Sequence, residues 1–307
     1  MFFKGLAFFV GFFCIIFLNL SSASVKEDIG NRKKIVVTFS ILEDIVSVIG
    51  GKKVHVTSLV KRNMDAHMFR PTPSDARRIS SADLVVMNGI GFEGWMKRLV
   101  KASGYQGVIL IAAKNIEKLR QKEHHGHNIN HADGWDPHVW FSVPNMKIYV
   151  ANIAEGISRI DPPSKKYYMK NLKKYTLDLD NLDKFIRSSI NSIPKKNRKV
   201  ITSHDAFGYL AREYGIEMLS PQGISTESEA SASKVATLIR QIKKTSVKAI
   251  FFENIADNRL VQQIARQTSV QIGGNLYSDA LSEKNGMAGN YIDYMRYNVK
   301  TILKALN

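Results

Sequence analysis

The chain has 307 residues, 44% of them hydrophobic and 23% charged, with a formal net charge of +17 and one cysteine. That length suffices for two ordinary domains with a substantial core, and the composition excludes a disordered or fibrous chain. A disulfide framework is excluded, and the lysines are scattered as pairs (Lys33-Lys34, Lys173-Lys174, Lys195-Lys196, Lys243-Lys244) without aromatic interleaving, so no nucleic-acid partner is expected.

Residues 1–20 are almost wholly apolar, with Lys4 ahead of the run and Ser21-Ser22-Ala23 behind it. Charge, apolar core and small residues in that order read as a secretory signal peptide cut after Ala23, the alternative being an uncleaved anchor. Cys14 lies inside this run, preceded by Gly-Phe-Phe, a poor context for lipidation. The expected mature protein is exported and free of cysteine, with 43 basic and 27 acidic residues, or +16, once Lys4 leaves. Any metal site must then use nitrogen and oxygen ligands. Beyond residue 24 no stretch is long and apolar enough to span a bilayer.

Residues 34–38 read as a buried strand, and Ser40–Ile49 carries apolar residues at helical spacing before Gly50-Gly51. Residues 54–60 form a second strand, with His55 a strand residue. Pro71 and Pro73 then make a stiff turn after His67, and Ser74 is expected to cap the next helix. Residues 83–88 and 107–111 are further buried strands, with a helix over 94–100 between them. Strands alternating with helices predict a parallel α/β sheet with right-handed crossovers.

Residues 121–135 interrupt this pattern. His124, His125, His127 and His131 fall within eight residues of a polar, turn-rich loop. Weak loading of cations and a solvated loop without a specific role are both open readings. From Asn145 the pattern is helical. Asp161-Pro162-Pro163 ends one helix and begins another, which runs without Gly or Pro to about Ser189, long enough for a strut between two domains. A second α/β unit follows, with strands at 199–203, 216–219, 248–252 and 270–277 and helices at 207–214, 231–243, 258–268 and 291–306. The expected divisions are a signal peptide (1–23), an N-terminal lobe (24–161), a linking helix (162–193) and a C-terminal lobe (194–307).

His204 and Asp279 each directly follow a strand, and ligands of open parallel sheets bind outside the carboxyl ends of strands. Facing sheets would bring them against His67, held before its rigid turn, and His138 of Asp136-Pro137-His138-Val139-Trp140. Three imidazoles and a carboxylate suit zinc, and with a bidentate carboxylate also manganese. The spacing is long and irregular, so no local motif establishes the site. Ligating imidazoles are neutral, so affinity should fall with pH.

Five stretches occur in order: Met64-Asp-Ala-His67 with Pro71-Thr-Pro73-Ser-Asp75, Asp136-Pro-His138-Val-Trp140, Ser203-His204-Asp-Ala-Phe-Gly-Tyr209, Gly223-Ile-Ser-Thr-Glu227 and Leu276-Tyr-Ser-Asp279. With them the chain resembles the periplasmic metal-binding proteins of zinc and manganese ABC importers, the ZnuA/TroA-like family. The resemblance implies two Rossmann-like parallel-sheet α/β lobes joined by one long rigid α-helix. It implies one Zn2+ or Mn2+ per chain, carried as cargo and held by His67, His138, His204 and Asp279. It also implies a membrane permease of a metal ABC importer as partner; a monomer is expected. Some zinc-importing relatives have a longer, acidic, His-rich loop. The short version here leaves manganese as open as zinc.

Two other readings stand beside capture and delivery. A zinc hydrolase would pair three protein ligands and water with a carboxylate base, for which Glu227, Glu253 and Asp205 are candidates. Each of the three could instead orient a histidine ligand or be an ordinary surface charge, and the orienting role is favoured for Asp205. A binding protein for an organic solute would show an aromatic-lined pocket.

Overall fold

The computed structural model describes residues 32–120, 134–245 and 247–307. The signal peptide and nearly all of the His-rich loop lie outside the described residues. The first lobe runs β1 (Lys33–Val37), α1 (Ser40–Gly50), β2 (Val54–Ser58), α2 (Pro73–Ser80), β3 (Leu84–Met87), α3 (Met96–Ser103) and β4 (Val108–Ile111). Its strands are parallel, in the order β2-β1-β3-β4. In the central strands Ile35, Val36, Val37, Leu84, Val85 and Val86 are all buried. Near-continuous apolar runs are what a parallel sheet covered on both faces requires.

A short antiparallel pair, β5 (Leu119–Arg120) and β6 (Trp135–Asp136), follows. Then come α4 (Val143–Ile160) and α5 (Lys165–Ser192). The second lobe runs β7 (Lys199–Ile201), α6 (Gly208–Tyr214), β8 (Glu217–Leu219), α7 (Ala232–Lys244), β9 (Ala249–Glu253), α8 (Arg259–Thr268), β10 (Gln271–Leu276) and α9 (Tyr291–Leu306). Its parallel order is β10-β9-β7-β8. Taken from the β8 edge, that is second, first, third, fourth strand, the order of the first lobe. The two lobes thus share a topology without a sequence repeat.

The long helix predicted from the sequence is α5, with 28 residues or about 42 Å at 1.5 Å per residue. It buries Tyr168, Tyr175, Leu179, Leu182, Ile186 and Ile190, a stripe at spacings of three, four and seven residues that fall on one helix face. The helix packs on α4 and α1 of the first lobe and on α9 of the second. A single hydrophobic core therefore continues from Ile35 to Leu306, with a smaller one under α7 and α8.

Three local expectations shift. The strand expected to be buried at 107–111 is the edge strand β4, whose Val108, Ile109 and Ile111 are exposed because it has a neighbour on one side only. Thr72, not Ser74, sits at the N-cap of α2, where it and Asp75 form a reciprocal capping box. Pro73 is the first helical residue, which moves the cap one place upstream of the proline. The helix expected from residue 94 begins at Met96. Among the described residues no helix is long and apolar enough to cross a membrane.

Aromatic hydrogen bonds join the lobes near their shared core. Trp140 Nε1 and Tyr294 Oη both donate to the carbonyl of Ser278, at 3.2 and 2.6 Å. Tyr291 Oη donates to the carbonyl of Trp140 at 2.6 Å. Leu182 is fully buried on the strut, so Leu182→Ala should lower the unfolding free energy by about 2–5 kcal/mol in urea titration. A loss below about 1 kcal/mol would contradict tight packing of α5.

Candidate metal site

Four segments bring one side chain each to a common point. His67 stands in the loop between β2 and α2, on a turn fixed by its own neighbours. Asp65 Oδ1 accepts the backbone N–H of His67 at 2.8 Å, and Trp95 Nε1 donates to the carbonyl of Ala66 at 2.9 Å. His138 follows β6 on the Asp-Pro-His turn. That turn is clamped from the end of β3, where Asn88 Nδ2 donates to the carbonyl of Pro137 at 3.0 Å. His204 and Asp279 follow β7 and β10, as the strand-end rule predicts.

The turn after His204 must also leave room for the first lobe. A Cβ on Gly208 would lie 2.5 Å from Asp136 Oδ2, so any other residue there would have to displace that carboxylate. Tyr209 Oη donates to the carbonyl of Asp136 at 3.0 Å. The sequence Ser203-His204-Asp-Ala-Phe-Gly208-Tyr209 thus presses α6 against the Asp-Pro-His turn of the other lobe.

All four predicted residues come together. One ligand atom from each lies within 4.8 Å of every other. His67 Nε2 and His204 Nε2 are each 3.3 Å from Asp279 Oδ2, and His138 Nε2 is 3.5 Å from Asp279 Oδ1. The Nε2 atoms of His67 and His138 are 3.4 Å apart. His138, His204 and Asp279 are 0% exposed and His67 is 6% exposed.

Carboxylates fix which nitrogen faces inward. Asp136 Oδ1 lies 2.8 Å from His138 Nδ1 and also accepts the His138 backbone N–H at 2.9 Å. Glu253 Oε2 lies 2.6 Å from His204 Nδ1, a close contact not aligned as a hydrogen bond. Its other oxygen accepts the backbone N–H groups of Ser203 and His204 at 2.7 and 2.9 Å. A carboxylate at Nδ1 keeps the proton there and turns the Nε2 lone pair toward the centre. Sequence reasoning favoured Asp205 as the orienting acid. The structure puts Glu253 against His204, across the β7–β9 pairing, while Asp205 lines a groove beside β8.

Both oxygens of Asp279 and Nε2 of His204 lack a hydrogen-bond partner among the described residues. Buried polar atoms left so call for an explanation, and an ion held among these donors would supply one. The donor set also fits a divalent cation: three imidazole nitrogens and one carboxylate, in a shell the protein alone can close.

Charge in the cluster follows the same geometry. Burial disfavours a charged His138, but Asp279 and Asp136 outweigh it and push its pKa up to about 9. Burial likewise opposes charge on His204, yet Glu253 and Asp279 hold it well above the ordinary imidazole range. Burial alone would raise Asp279, but His138 and His204 hold it well below the usual carboxylate range. For His67 burial prevails over the pull of Asp279, and the neighbouring imidazoles push the same way, so its pKa is lowered.

A family model described as zinc-uptake complex component A, periplasmic (ZnuA) matches residues 35–305, and the chain belongs to that family of solute-binding proteins. The chain is 33% identical to the manganese-binding lipoprotein MntA of Bacillus subtilis, over 99% of each protein. It is 32% identical to the manganese ABC transporter substrate-binding lipoprotein PsaA of Streptococcus mitis, over 97% of each. The solved structure of the periplasmic zinc-binding protein TroA from Treponema pallidum superposes with a TM-score of 0.83 at 29% identity, covering 90% of this chain and 99% of that one.

The raised pKa values fix a sign for protein stripped of cations by a chelator. His138 and His204 titrate higher folded than unfolded, so their contribution to stability is complete below about pH 6.5 and declines as pH rises, that of His138 being lost through about 9. The urea midpoint of stripped protein should therefore fall between pH 6.5 and pH 9.5. An unchanged midpoint would contradict the charge assignment.

Proposed function

We propose that this protein captures one zinc or manganese ion between its lobes, outside the cytoplasm, and delivers it to the membrane permease of an ABC importer. The ligands are Nε2 of His67, His138 and His204 and the carboxylate of Asp279. The observation that carries the reading is the mutual approach of these four atoms to within 4.8 Å, with Asp279 unpartnered. The lobes at 24–161 and 194–307 act as two jaws on the linking segment 162–193. Ligands come from both jaws and all from one chain, so a monomer suffices.

Zinc is favoured by intrinsic affinity at a site of this kind. Both oxygens of Asp279 face the cluster, and bidentate ligation would bring the five or more donors that manganese accepts. The relatives' names divide in the same way, MntA and PsaA for manganese and TroA for zinc. Which ion dominates is then set by supply.

The protein acts as a carrier rather than an enzyme. A hydrolytic zinc site keeps an open position facing a free base. Here four side chains can fill the shell, and Glu253 is engaged by two backbone N–H groups and the His204 ring. An organic solute is disfavoured too. The groove of about 950 Å³ beside β8 is lined by Met218, Leu219, Ile224 and Leu238, with no aromatic side chain among its described lining residues.

Export by a signal peptide cut after Ala23 completes the reading, and mass spectrometry of the mature N-terminus tests it. A chain beginning at Ser24 is expected; a lipid-modified Cys14 would replace this reading with lipid anchoring, as the names of MntA and PsaA would suggest.

Calorimetry tests the ligand assignment. His138→Ala should weaken zinc or manganese binding at least about tenfold, since it removes a first ligand and leaves Asp136 buried without its partner. Unchanged affinity would refute the assignment. Two imidazoles, His138 and His204, carry protons near pH 7 that the ion must displace, while His67 does not. Titration in buffers of different ionisation enthalpy should therefore report about two protons released per ion, with affinity falling as pH falls. Release of none would contradict the charge state of the site.

A further inference from the structure

The two lobes meet along one side of the site through several buried and half-buried bonds. Arg62 Nη1 donates to the carbonyls of Ser282 and Gly289, both at 2.8 Å. Asp44 Oδ2 accepts the backbone N–H of Tyr291 at 2.8 Å, and Ser40 Oγ accepts that of Leu281 at 2.9 Å. Such a joint has no single bond whose loss would free it. The loop that carries His67 begins at this joint, since Arg62 lies in it and the Asn63 N–H donates to the carbonyl of Leu281 at 3.0 Å, but nearer His67 its tie to the second lobe is of another kind. Asp65 spends one carboxylate oxygen on the turn that presents His67, accepting the N–H of His67 at 2.8 Å. With the other it accepts the hydroxyl of Thr226, from the loop between β8 and α7, at 2.5 Å.

One carboxylate therefore couples the seat of His67 to the opposite lobe. His67 is also the member of the four with measurable exposure, 6% against 0% for the rest. An ion leaving past the least buried side chain has to shift the turn that Asp65 holds. We propose that the Asp65–Thr226 hydrogen bond is a latch that slows release of the bound ion, making Thr226 a positioning residue that never touches it. This rests on the capture function argued above.

The latch is charge-assisted and only half-buried, strong enough to retard opening and open enough to break. Breaking it should act on departure. Entry past a His67 turn that has not yet docked precedes latching, so the association rate is left alone. Asp65 itself is unsuitable for the test, because replacing it would also disturb the His67 turn.

The experiment is stopped-flow release of zinc from the full mature protein into a chelator, with association measured separately and the melting temperature of stripped protein recorded. Thr226→Val removes the hydroxyl at constant shape, and Thr226→Ser retains it. The expected result is dissociation about tenfold faster in Thr226→Val, association within about twofold, Thr226→Ser near the unmodified protein and an unchanged melting temperature. Dissociation within about twofold in Thr226→Val would overturn the latch while leaving capture intact. Equal acceleration by Thr226→Ser would overturn it as well. If Thr226→Val does not fold, Thr226→Ala carries the same expectation and the same refutation. Failure of the unmodified protein to bind zinc or manganese would instead overturn the capture function.

Discussion

The rest of the structure depends on one electrostatic constraint. Three imidazole nitrogens and a carboxylate are forced into a space 4.8 Å across, away from water. Lone pairs held that close repel one another unless positive charge lies among them, and burial strengthens the repulsion. Without a metal ion, protons on His138 and His204 supply that charge; a divalent ion supplies the same amount in their place. The carboxylates of Asp136, Glu253 and Asp279 hold the balance negative enough to draw a cation, despite a chain that is strongly basic overall.

That constraint explains features that otherwise look like ornament. The Asp-Pro-His turn is gripped by Asn88 from its own lobe and by Tyr209 from the other. Gly208 gives way to the Asp136 carboxylate. Ser278, next to Asp279, has its carbonyl fixed by Trp140 and Tyr294, so the strand-end acid is set by residues of both lobes. The strut α5 ties the lobes together, because its apolar stripe packs against α4, α1 and α9 together. A site spread over four segments can be this tight only if the scaffold around it is stiff.

Most of the fold could be read from the chain. Buried runs such as Ile35-Val36-Val37 and Ala249-Ile250-Phe251 announce parallel strands, and thirty residues without Gly or Pro announce the strut. The four convergent residues were legible through their contexts, strand ends and rigid turns, and through family resemblance; their spacing alone carries no signal. Glu253 stood in the sequence only as one of three acids that could serve as a base or orient a histidine, with nothing to raise it above Asp205. It ends a strand like any acid, and it reaches His204 because β9 lies beside β7 in the sheet, a neighbour relation that sequence separation hides. Asp205 attracted attention only by adjacency. The β5–β6 pair, two residues a side, is too short for alternation to reveal. The bond from Asp65 to Thr226 joins residues 161 positions apart and has no local signature either.

The central claim is that a single ion sits among these four side chains. Anomalous scattering from crystals of the mature protein loaded with zinc, and separately with manganese, tests it most directly. The account predicts one strong peak per chain, about 2.0–2.2 Å from Nε2 of His67, His138 and His204 and from the Asp279 carboxylate. A peak elsewhere, or one ringed by water and lacking any of the three imidazoles, would contradict it.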